Sequence, residues 1–202
     1  RNINTDLLDR IPLNARTIVE VGCGSGALGA AYKLRNPQSR YIGVEAIAAP
    51  AAEAAKVLDQ VIVGNAEDPL LFGDELQDVD CLVYGDVLEH LTNPWTCLKR
   101  HLDLLADDGL VVACIPNVQH WSVIANLLQG QWPLEDQGLF DRTHLRWFTK
   151  STIVQGFRQL GLIVYELESR IFNLDQTRSF MQKLEPALQN FGLNSQDVLN
   201  GI

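Results

Sequence analysis

The sequence contains no apolar run long enough to cross a membrane, and it has little positive charge. A membrane-spanning helix needs about 20 mainly apolar residues in succession, so we expect no membrane span. The 16 Lys and Arg residues are outnumbered by 25 Asp and Glu residues, which gives a net charge of −9. Because proteins that bind a nucleic-acid backbone usually present a basic face, this balance favours a small-molecule partner and no nucleic acid. One local basic cluster remains: Arg142, His144, Arg146 and Lys150.

Cysteine is scarce, and its spacing excludes the common paired sites. The four cysteines, Cys23, Cys81, Cys97 and Cys114, show no C-x-x-C spacing, which metal-binding and redox pairs usually have. We therefore expect free, buried thiols in a reducing compartment, the cytoplasm. The first residues are polar and do not resemble a signal peptide. The chain begins without Met, which is compatible with a piece of a longer protein.

Three glycines at alternating positions follow an apolar, β-branched run near the start of the chain. The run Thr17–Val21 predicts a strand, Gly22–Gly26 a tight turn, and the pattern from Ala27 onward a helix. Glycine is used where the backbone takes a positive φ or lies bare against a ligand. N–H groups at a helix start suit a polar or anionic group. We expect the floor of a nucleotide-like cofactor site here, the alternative being a turn that binds nothing.

Two cofactors fit this turn. The segment Gly24–Gly29 matches G-x-G-x-x-G, the dinucleotide fingerprint, which is weak on its own. The second interpretation begins at Glu20 and reads acidic-x-Gly-x-Gly-x-Gly, with Cys23 inside the turn. It resembles motif I of the class I S-adenosylmethionine (SAM) methyltransferases. That resemblance implies that Glu20 lies near the methionine ammonium, whereas a dinucleotide has no positive group there.

Short apolar runs alternate with helical patterns along the rest of the chain. Predicted helices span 3–11, 27–35, 50–58, the segment from Asn93-Pro94, 120–128, 150–160 (capped by Thr149) and 174–192. Predicted strands span 16–22, 41–45, 60–64, 79–84, 110–115 and 162–167, with Asp107-Asp108-Gly109 as the turn before the fifth. Such alternation indicates an α/β, doubly wound, mostly parallel sheet. The segment 130–147 is a long loop, and long loops often cover binding sites.

Two further segments are candidates for cofactor contact. Glu45 ends the second predicted strand 19 residues after Gly26, and an acidic residue about 20 residues beyond the glycines can bind ribose hydroxyls. A solvated glutamate is the alternative; Ala46 follows it along the same edge. In the methyltransferase pattern the loop after strand three meets adenine. Its candidates Asn65, Ala66 and Glu67 remain open, and a plain turn is the alternative.

Several ordered motifs sharpen the resemblance. They are Asp86–Leu91 (D-V-L-E-H-L), Asn93-Pro94, Asp108-Gly109, Ile115-Pro116-Asn117 and Asp141–Thr149 (D-R-T-H-L-R-W-F-T). Together they resemble a bacterial methyltransferase subfamily related to the ubiquinone-pathway O-methyltransferases, over about residues 16–168. The resemblance implies a Rossmann-like sheet of order 3-2-1-4-5-7-6. We find no strand seven in 171–202 and expect it beyond the given chain. We expect one domain over 1–202, with 118–148 as a substrate-side lid and 171–202 as a C-terminal helical extension.

The segment after strand four carries the predicted chemistry. Asp86, Glu89 and His90 are spaced i, i+3, i+4, so a helix would place them on one face. We expect Asp86 and Val87 to border the methionine end of SAM, and His90 to act as a general base. Glu89 and His144 are its predicted catalytic partners. A satisfied histidine–carboxylate pair with a structural role is the alternative.

A divalent cation is a second hypothesis for these residues. The small-RNA 2′-O-methyltransferases carry a similar Glu-x-x-Glu-His segment and a later His as metal ligands. Glu89, His90 and His144, with Asp86, would suit Mn²⁺, Fe²⁺ or Zn²⁺ better than Mg²⁺. We do not favour this hypothesis and assign no metal ligand.

The sequence therefore predicts a cytoplasmic SAM-dependent methyltransferase. We expect O-methylation of a small hydroxylated acceptor, such as a sugar, a nucleotide-sugar or a phenol. Aromatic residues of the lid could hold such an acceptor; they are Trp121, Trp132, Phe140, Trp147 and Phe148. The alternatives are an NAD-linked oxidoreductase and a non-catalytic SAM-binding module. The oligomeric state stays open.

Overall fold

A computed structural model describes residues 3–73, 76–170 and 174–194. The chain divides into two compact units, Arg1–Ile115 and Pro116–Ile202. The helices of the first unit are α1 Thr5–Arg10, α2 Ala27–Arg35, α3 Ala48–Ala54 and α4 Pro94–His101, and its strands are β1 Thr17–Val21, β2 Arg40–Glu45, β3 Gln60–Val63, β4 Val79–Gly85 and β5 Leu105–Cys114. The second unit contains α5 Trp121–Leu128, α6 Lys150–Gln159 and α7 Leu174–Asn190.

The five strands form one parallel sheet of order β3-β2-β1-β4-β5. This Rossmann-like arrangement confirms the predicted fold class over strands one to five. The central strand is apolar because both of its faces are covered: Ile18, Val19 and Val21 are fully buried. Its start is held by Asp80 of β4, whose carboxylate accepts the Arg16 and Thr17 N–H groups at 2.8 and 2.7 Å.

The register places the carboxyl ends of the strands at one level. Val21 of β1 pairs with Val44 of β2 and with Tyr84 of β4. One residue further, Glu45 pairs with Val63 and Gly85 pairs with Cys114. The loops that follow β1, β2, β3 and β4 therefore leave from the same edge of the sheet, where open α/β sheets bind their ligands.

The fifth strand begins earlier than predicted. Asp107-Asp108-Gly109 lies inside β5 rather than in a turn before it. Val79 of β4 pairs with Leu105, while Cys81 pairs with Leu110, so the pairing register shifts between these pairs, as it does at a β-bulge. The prediction was wrong because turn residues also suit a β-bulge, which interrupts a strand without ending it.

The sixth predicted strand is absent from the described part of the chain. Residues 162–170 have neither helix nor strand structure, and Ile163 and Tyr165 are 71% and 81% exposed. The β-like composition was misleading because a strand also needs a hydrogen-bonded partner. Of the predicted C-terminal extension, residues 174–190 form α7 as expected, whereas residues 171–173 and 195–202 lie outside the described residues.

The second unit has its own small cores. Met181 and Leu188 of α7 are buried, and Ile124 of α5 packs against them. Thr149 caps α6 through a reciprocal capping box with Thr152, as the sequence predicts. The segment between α5 and α6 lacks helices and holds an edge-to-face pair, Trp132 on Phe140, with ring centroids 5.2 Å apart. Whether residues 118–148 act as a lid, and whether the chain is one domain, stay predictions.

No helix within residues 3–73, 76–170 and 174–194 combines the length and apolarity that crossing a membrane requires. All four cysteines are free thiols. Cys114 is partly buried and the other three are buried, which agrees with the expectation of unpaired, mostly buried thiols.

Candidate cofactor site

The loop between β1 and α2 has the backbone conformation that its glycines predict. Gly22, Gly24 and Gly26 have φ values of 74°, 55° and 77°, a region that side-chain-bearing residues rarely adopt. A Cβ atom at Gly22 would also collide with the Cγ2 atom of Val87. The turn is therefore packed directly beneath the segment that follows β4.

The N–H groups of this loop are largely used within the protein. Gly22 and Cys23 donate to the Val44 carbonyl at 2.8 and 2.9 Å, and Gly26 donates to the Cys23 carbonyl at 2.9 Å. Gly24 donates to Glu45 Oε2 at 2.9 Å. A dinucleotide fold would turn such groups toward a pyrophosphate, and these four are not available for that purpose.

Glu45 lies at the end of β2 beside the loop. Its Oε2 atom accepts the Gly24 N–H, and its Oε1 atom accepts the Ile47 N–H at 2.9 Å. The carboxylate is thus held in one orientation, with the exposed Ala46 next to it. Because each carboxylate oxygen has two acceptor sites, each can still accept one hydrogen bond. Two adjacent ribose hydroxyls would match this pair of oxygens.

Glu20 lies on β1 just below the loop and is buried, with 5% of its surface exposed. The pKa of this carboxyl is raised to about 8, mainly by burial; the hydrogen bond from Tyr41 acts to lower it, and the nearby Glu45 charge acts to raise it. The Tyr41 hydroxyl donates to Glu20 Oε2 at 3.0 Å. A cation near Glu20 would favour its ionised form.

Cys23 is not suited to act as a nucleophile. Burial, followed by the charges of Glu20 and Glu45, raises the pKa of its thiol to about 12. The side chain instead fills the space above Gly43, where a Cβ atom would lie 2.5 Å from the Cys23 sulfur. Cys23 therefore supports the loop by packing.

The loop after β3 is tied to α4. The Glu67 carboxylate accepts the Thr92 and Asn93 N–H groups at 3.0 and 2.7 Å, at the start of that helix. The Ala66 carbonyl is within 3.0 Å of His101 Nε2. Asn65 is exposed, and its Oδ1 atom accepts the Glu67 N–H at 2.9 Å. Among the three adenine candidates, the side chain of Asn65 is the one that this network leaves at the surface.

His101 is a residue of this region that the sequence analysis missed. It is 2% exposed and lies between the Ala66 carbonyl and the Tyr84 hydroxyl. Burial lowers its pKa to about 4, so the ring is neutral near pH 7. The sequence does show Cys97 and His101 at positions i and i+4 on the apolar face of α4. The residues that His101 contacts, however, lie far from it in the sequence.

The segment after β4 differs from the predicted helix. Asp86 has a φ of 55°, and the helical part is a single 3₁₀ turn over Leu88–His90. Because the left-handed residue breaks the helix before it starts, Asp86 does not share a helical face with Glu89 and His90, and that expectation was wrong. Asp86 is exposed at the end of β4, and its N–H donates to the Cys114 carbonyl at 3.0 Å.

Glu89 and His90 form a close pair. His90 Nε2 lies 4.0 Å from Glu89 Oε1, and the Glu89 side chain is 1% exposed while that of His90 is 34% exposed. A buried carboxylate beside a more exposed imidazole can orient the ring and stabilise its protonated form. His144, the third predicted catalytic residue, belongs to the second unit, where it is buried.

The sheet edge that carries these loops is acidic. The segments 20–26, 45–47, 64–67 and 86–90 hold Glu20, Glu45, Glu67, Asp86 and Glu89, and no Lys or Arg. Such a site favours a cationic ligand and disfavours a pyrophosphate. The electrostatics and the internal hydrogen bonds of the glycine loop thus point to the same class of cofactor.

Comparison with known proteins agrees with this geometry. Residues 19–111 match the family described as "Methyltransferase domain". This segment is therefore similar to a methyltransferase domain. It includes most of β1, all of β2 to β4, and the five carboxylates of the acidic edge.

A curated protein is similar to about half of this chain. The chain is 33% identical over 112 residues to the trans-aconitate 2-methyltransferase of Azoarcus sp. (strain BH72). The match covers 55% of this chain and 44% of that enzyme, so the chain spans less than half of the relative's length.

Solved structures share the fold of this chain. A putative methyltransferase in complex with the Trm112 methyltransferase activator, from Haloferax volcanii, aligns with a TM-score of 0.63 at 20% identity, over 85% of this chain and 72% of that one. The plantazolicin methyltransferase BamL, solved with a desmethylPZN analog and SAH, aligns with a TM-score of 0.53 at 16% identity, over 72% of this chain and 52% of that one. At these identities the likeness concerns the fold alone.

Proposed function

We propose that this protein transfers the methyl group of SAM to an oxygen atom of a small acceptor. The observation that carries the proposal is the acidic sheet edge around a glycine loop whose N–H groups are bound internally. This arrangement suits an adenosyl sulfonium, a cation without phosphate groups. It supports neither a dinucleotide nor the NAD-linked oxidoreductase that the glycine spacing alone allows.

The residues present fit this cofactor. Glu45 would accept the ribose hydroxyls, and Asn65 would meet adenine, with Ala66 and Glu67 shaping the loop behind it. Glu20, Asp86 and Val87 would border the methionine end, where the two carboxylates offset the positive charge. When bound, SAM supplies a methyl group on a sulfonium, which is already electrophilic.

The chain must then hold the acceptor and remove its proton. His90 is the proposed base, because its imidazole is partly exposed and lies beside the buried Glu89 carboxylate. Glu89 would orient the ring and stabilise its charged form. Holding the acceptor in place can lower the activation free energy by about 7 kcal/mol or more. A general base can raise the rate roughly 10²–10⁴-fold. His144 remains a predicted partner, and divalent-metal dependence remains an unfavoured hypothesis that activity measurements with a chelator would address.

Binding of S-adenosylhomocysteine (SAH), measured by calorimetry, tests the cofactor assignment. We expect SAH to bind and NADH not to bind. Glu45→Gln should weaken SAH binding roughly tenfold to a hundredfold, because charge-assisted hydrogen bonds contribute about 1.5–3 kcal/mol. Glu53→Gln is the matched control: it removes the same charge from α3, where the Glu53 side chain is 60% exposed and pairs with Lys56. Unchanged SAH affinity in Glu45→Gln, or binding of NADH instead, would remove the proposal.

The curated relative favours a second class of acceptor, a carboxylate. That relative is named for the methylation of trans-aconitate, and a carboxylate, with a pKa near 4, has no proton to lose at neutral pH. A hydroxylated acceptor does need a base.

His90→Ala distinguishes the two acceptor classes. With a hydroxylated acceptor we expect kcat to fall roughly 10²–10⁴-fold; with a carboxylate such as trans-aconitate we expect a change of only a few fold. Unchanged SAH affinity in the variant is the control for an intact site. A variant that turns over hydroxylated acceptors at the normal rate contradicts the role of His90 as base. Slow turnover with every acceptor of both classes would favour a non-catalytic SAM-binding module.

The cellular compartment, the class of acceptor and a protein partner are also proposals. The free thiols favour the cytoplasm. The charge balance favours a small acceptor over a nucleic acid. Because one neighbour of similar fold is complexed with a Trm112 activator, co-purification with an activator protein is worth testing.

A further inference from the structure

Five hydrogen bonds tie the loop after β3 to α4 and to the residues just before it. His101 and Cys97 contact the Ala66 carbonyl at 3.0 and 3.2 Å, and Arg100 Nη2 donates to the Glu67 carbonyl at 2.6 Å. The other two run from the Thr92 and Asn93 N–H groups to the Glu67 carboxylate. Two consecutive loop residues are thereby held through both backbone carbonyls and one side chain.

The hydrogen-bond roles of His101 follow from its neighbours. A carbonyl oxygen only accepts, so Nε2 must carry the proton that it shares with Ala66. Nδ1 is then the acceptor, and the Tyr84 hydroxyl donates to it at 2.7 Å. Phe72 packs edge-on against the same ring, with centroids 4.9 Å apart. The ring is thus fixed on both nitrogens and on one edge, and it links β4, α4 and the loop.

From this geometry we propose that His101 is a positioning residue for the cofactor, acting through the loop 64–67 without touching the ligand. The inference rests on the proposed function, in which this loop meets adenine. The Ala66 and Glu67 carbonyls and the Glu67 carboxylate are held on the α4 side. The exposed Asn65 is therefore presented to the adenine ring from a rigid base. Loss of the His101 bond frees the loop and weakens cofactor binding, while the transfer step itself is unaffected.

His101→Phe and His101→Gln form the first test, with SAH affinity measured by calorimetry and kcat measured at saturating SAM. Phe keeps the ring volume but removes both hydrogen bonds, and we expect SAH affinity to fall at least tenfold with kcat changed less than threefold. Gln keeps an amide N–H near the Nε2 position and should restore affinity to within about threefold of wild type. A merely structural role would lower the unfolding midpoint of His101→Phe and leave SAH affinity unchanged, which would overturn the inference.

Arg100→Met provides a second test if His101→Phe does not fold. It removes the donor to the Glu67 carbonyl and keeps most of the side-chain stem. Lys99→Met is its control, because it removes the same charge from the exposed face of α4. We expect Arg100→Met to weaken SAH binding severalfold and Lys99→Met to leave it unchanged. Equal affinities in the two variants would overturn the inference.

The controls separate this inference from the proposed function. If the wild-type protein does not bind SAH, the proposed function fails and the inference fails with it. If the wild type binds SAH and Glu45→Gln weakens that binding, the proposed function stands. If His101→Phe and Arg100→Met then bind SAH as tightly as the wild type, the positioning role is refuted and the proposed function is not.

Discussion

At the scale of the residue, Glu20 shows how a buried carboxyl couples stability to pH. Its pKa in the folded protein is about 8, against 4.5 for an unperturbed glutamate. The folded state therefore binds more protons than the unfolded state between these values. It follows that the stability contributed by the neutral form is fully present below about pH 4.5 and is lost as the pH rises through 8.

Glu20→Gln should remove this dependence. We expect the free energy of unfolding of the ligand-free wild type to fall by about 1 kcal/mol from pH 7 to pH 8, because folded Glu20 still holds much of the proton that the unfolded state has released. The variant should lack this fall, since Gln stays neutral and can still accept the Tyr41 hydrogen bond. Urea unfolding at the two pH values measures the effect, with Glu53→Gln as the charge-matched control. Equal slopes for wild type and Glu20→Gln would show that Glu20 is already ionised at pH 7.

At the scale of the element, the sequence best predicts those structural features that depend only on residues close together in the chain. The turn Gly22–Gly26 and the Thr149 cap depend on residues within a few positions of each other, and the structure has both. The strand at 162–167 was predicted from composition alone, but a strand depends on a partner that composition does not supply. The turn predicted at Asp107-Asp108-Gly109 was wrong for a similar reason. Pairing with β4 continues beyond these residues, and that pairing decides whether turn residues end a strand or form a bulge within it.

The same distinction applies to the candidate site. The acidic residue at the end of β2 could be predicted because the spacing between the glycine loop and Glu45 is set by one β-α-β unit. The contacts of His101 could not, because Ala66 and Tyr84 lie 35 and 17 residues away from it. The shared helical face of Asp86, Glu89 and His90 was predicted wrongly, because Asp86 has a left-handed backbone and its N–H donates to the Cys114 carbonyl at the end of another strand.

At the scale of the whole molecule, the net charge and the acidic edge have the same sign. The chain carries a charge of −9, and the exposed Asp86 lies beside the proposed methionine site. SAM has a net charge of +1 and SAH is a neutral zwitterion, although the two share their adenosyl and amino-acid groups. A negative field attracts the first and leaves the second almost unaffected. Comparing them therefore isolates the electrostatic part of cofactor binding.

Raising the salt concentration should weaken SAM binding more than SAH binding. Between about 50 and 500 mM NaCl the Debye length falls from roughly 14 to 4 Å, so we expect the Kd of SAM to rise severalfold and that of SAH to change less than twofold. Asp86→Asn should reduce the salt dependence for SAM, because it removes the exposed charge and Asn tolerates the left-handed backbone; Glu53→Gln should not. Calorimetric titrations at both salt concentrations measure these values. Equal salt dependence for the two ligands would mean that the sulfonium lies away from the acidic edge, and the placement of the methionine end beside Glu20 and Asp86 would then be wrong.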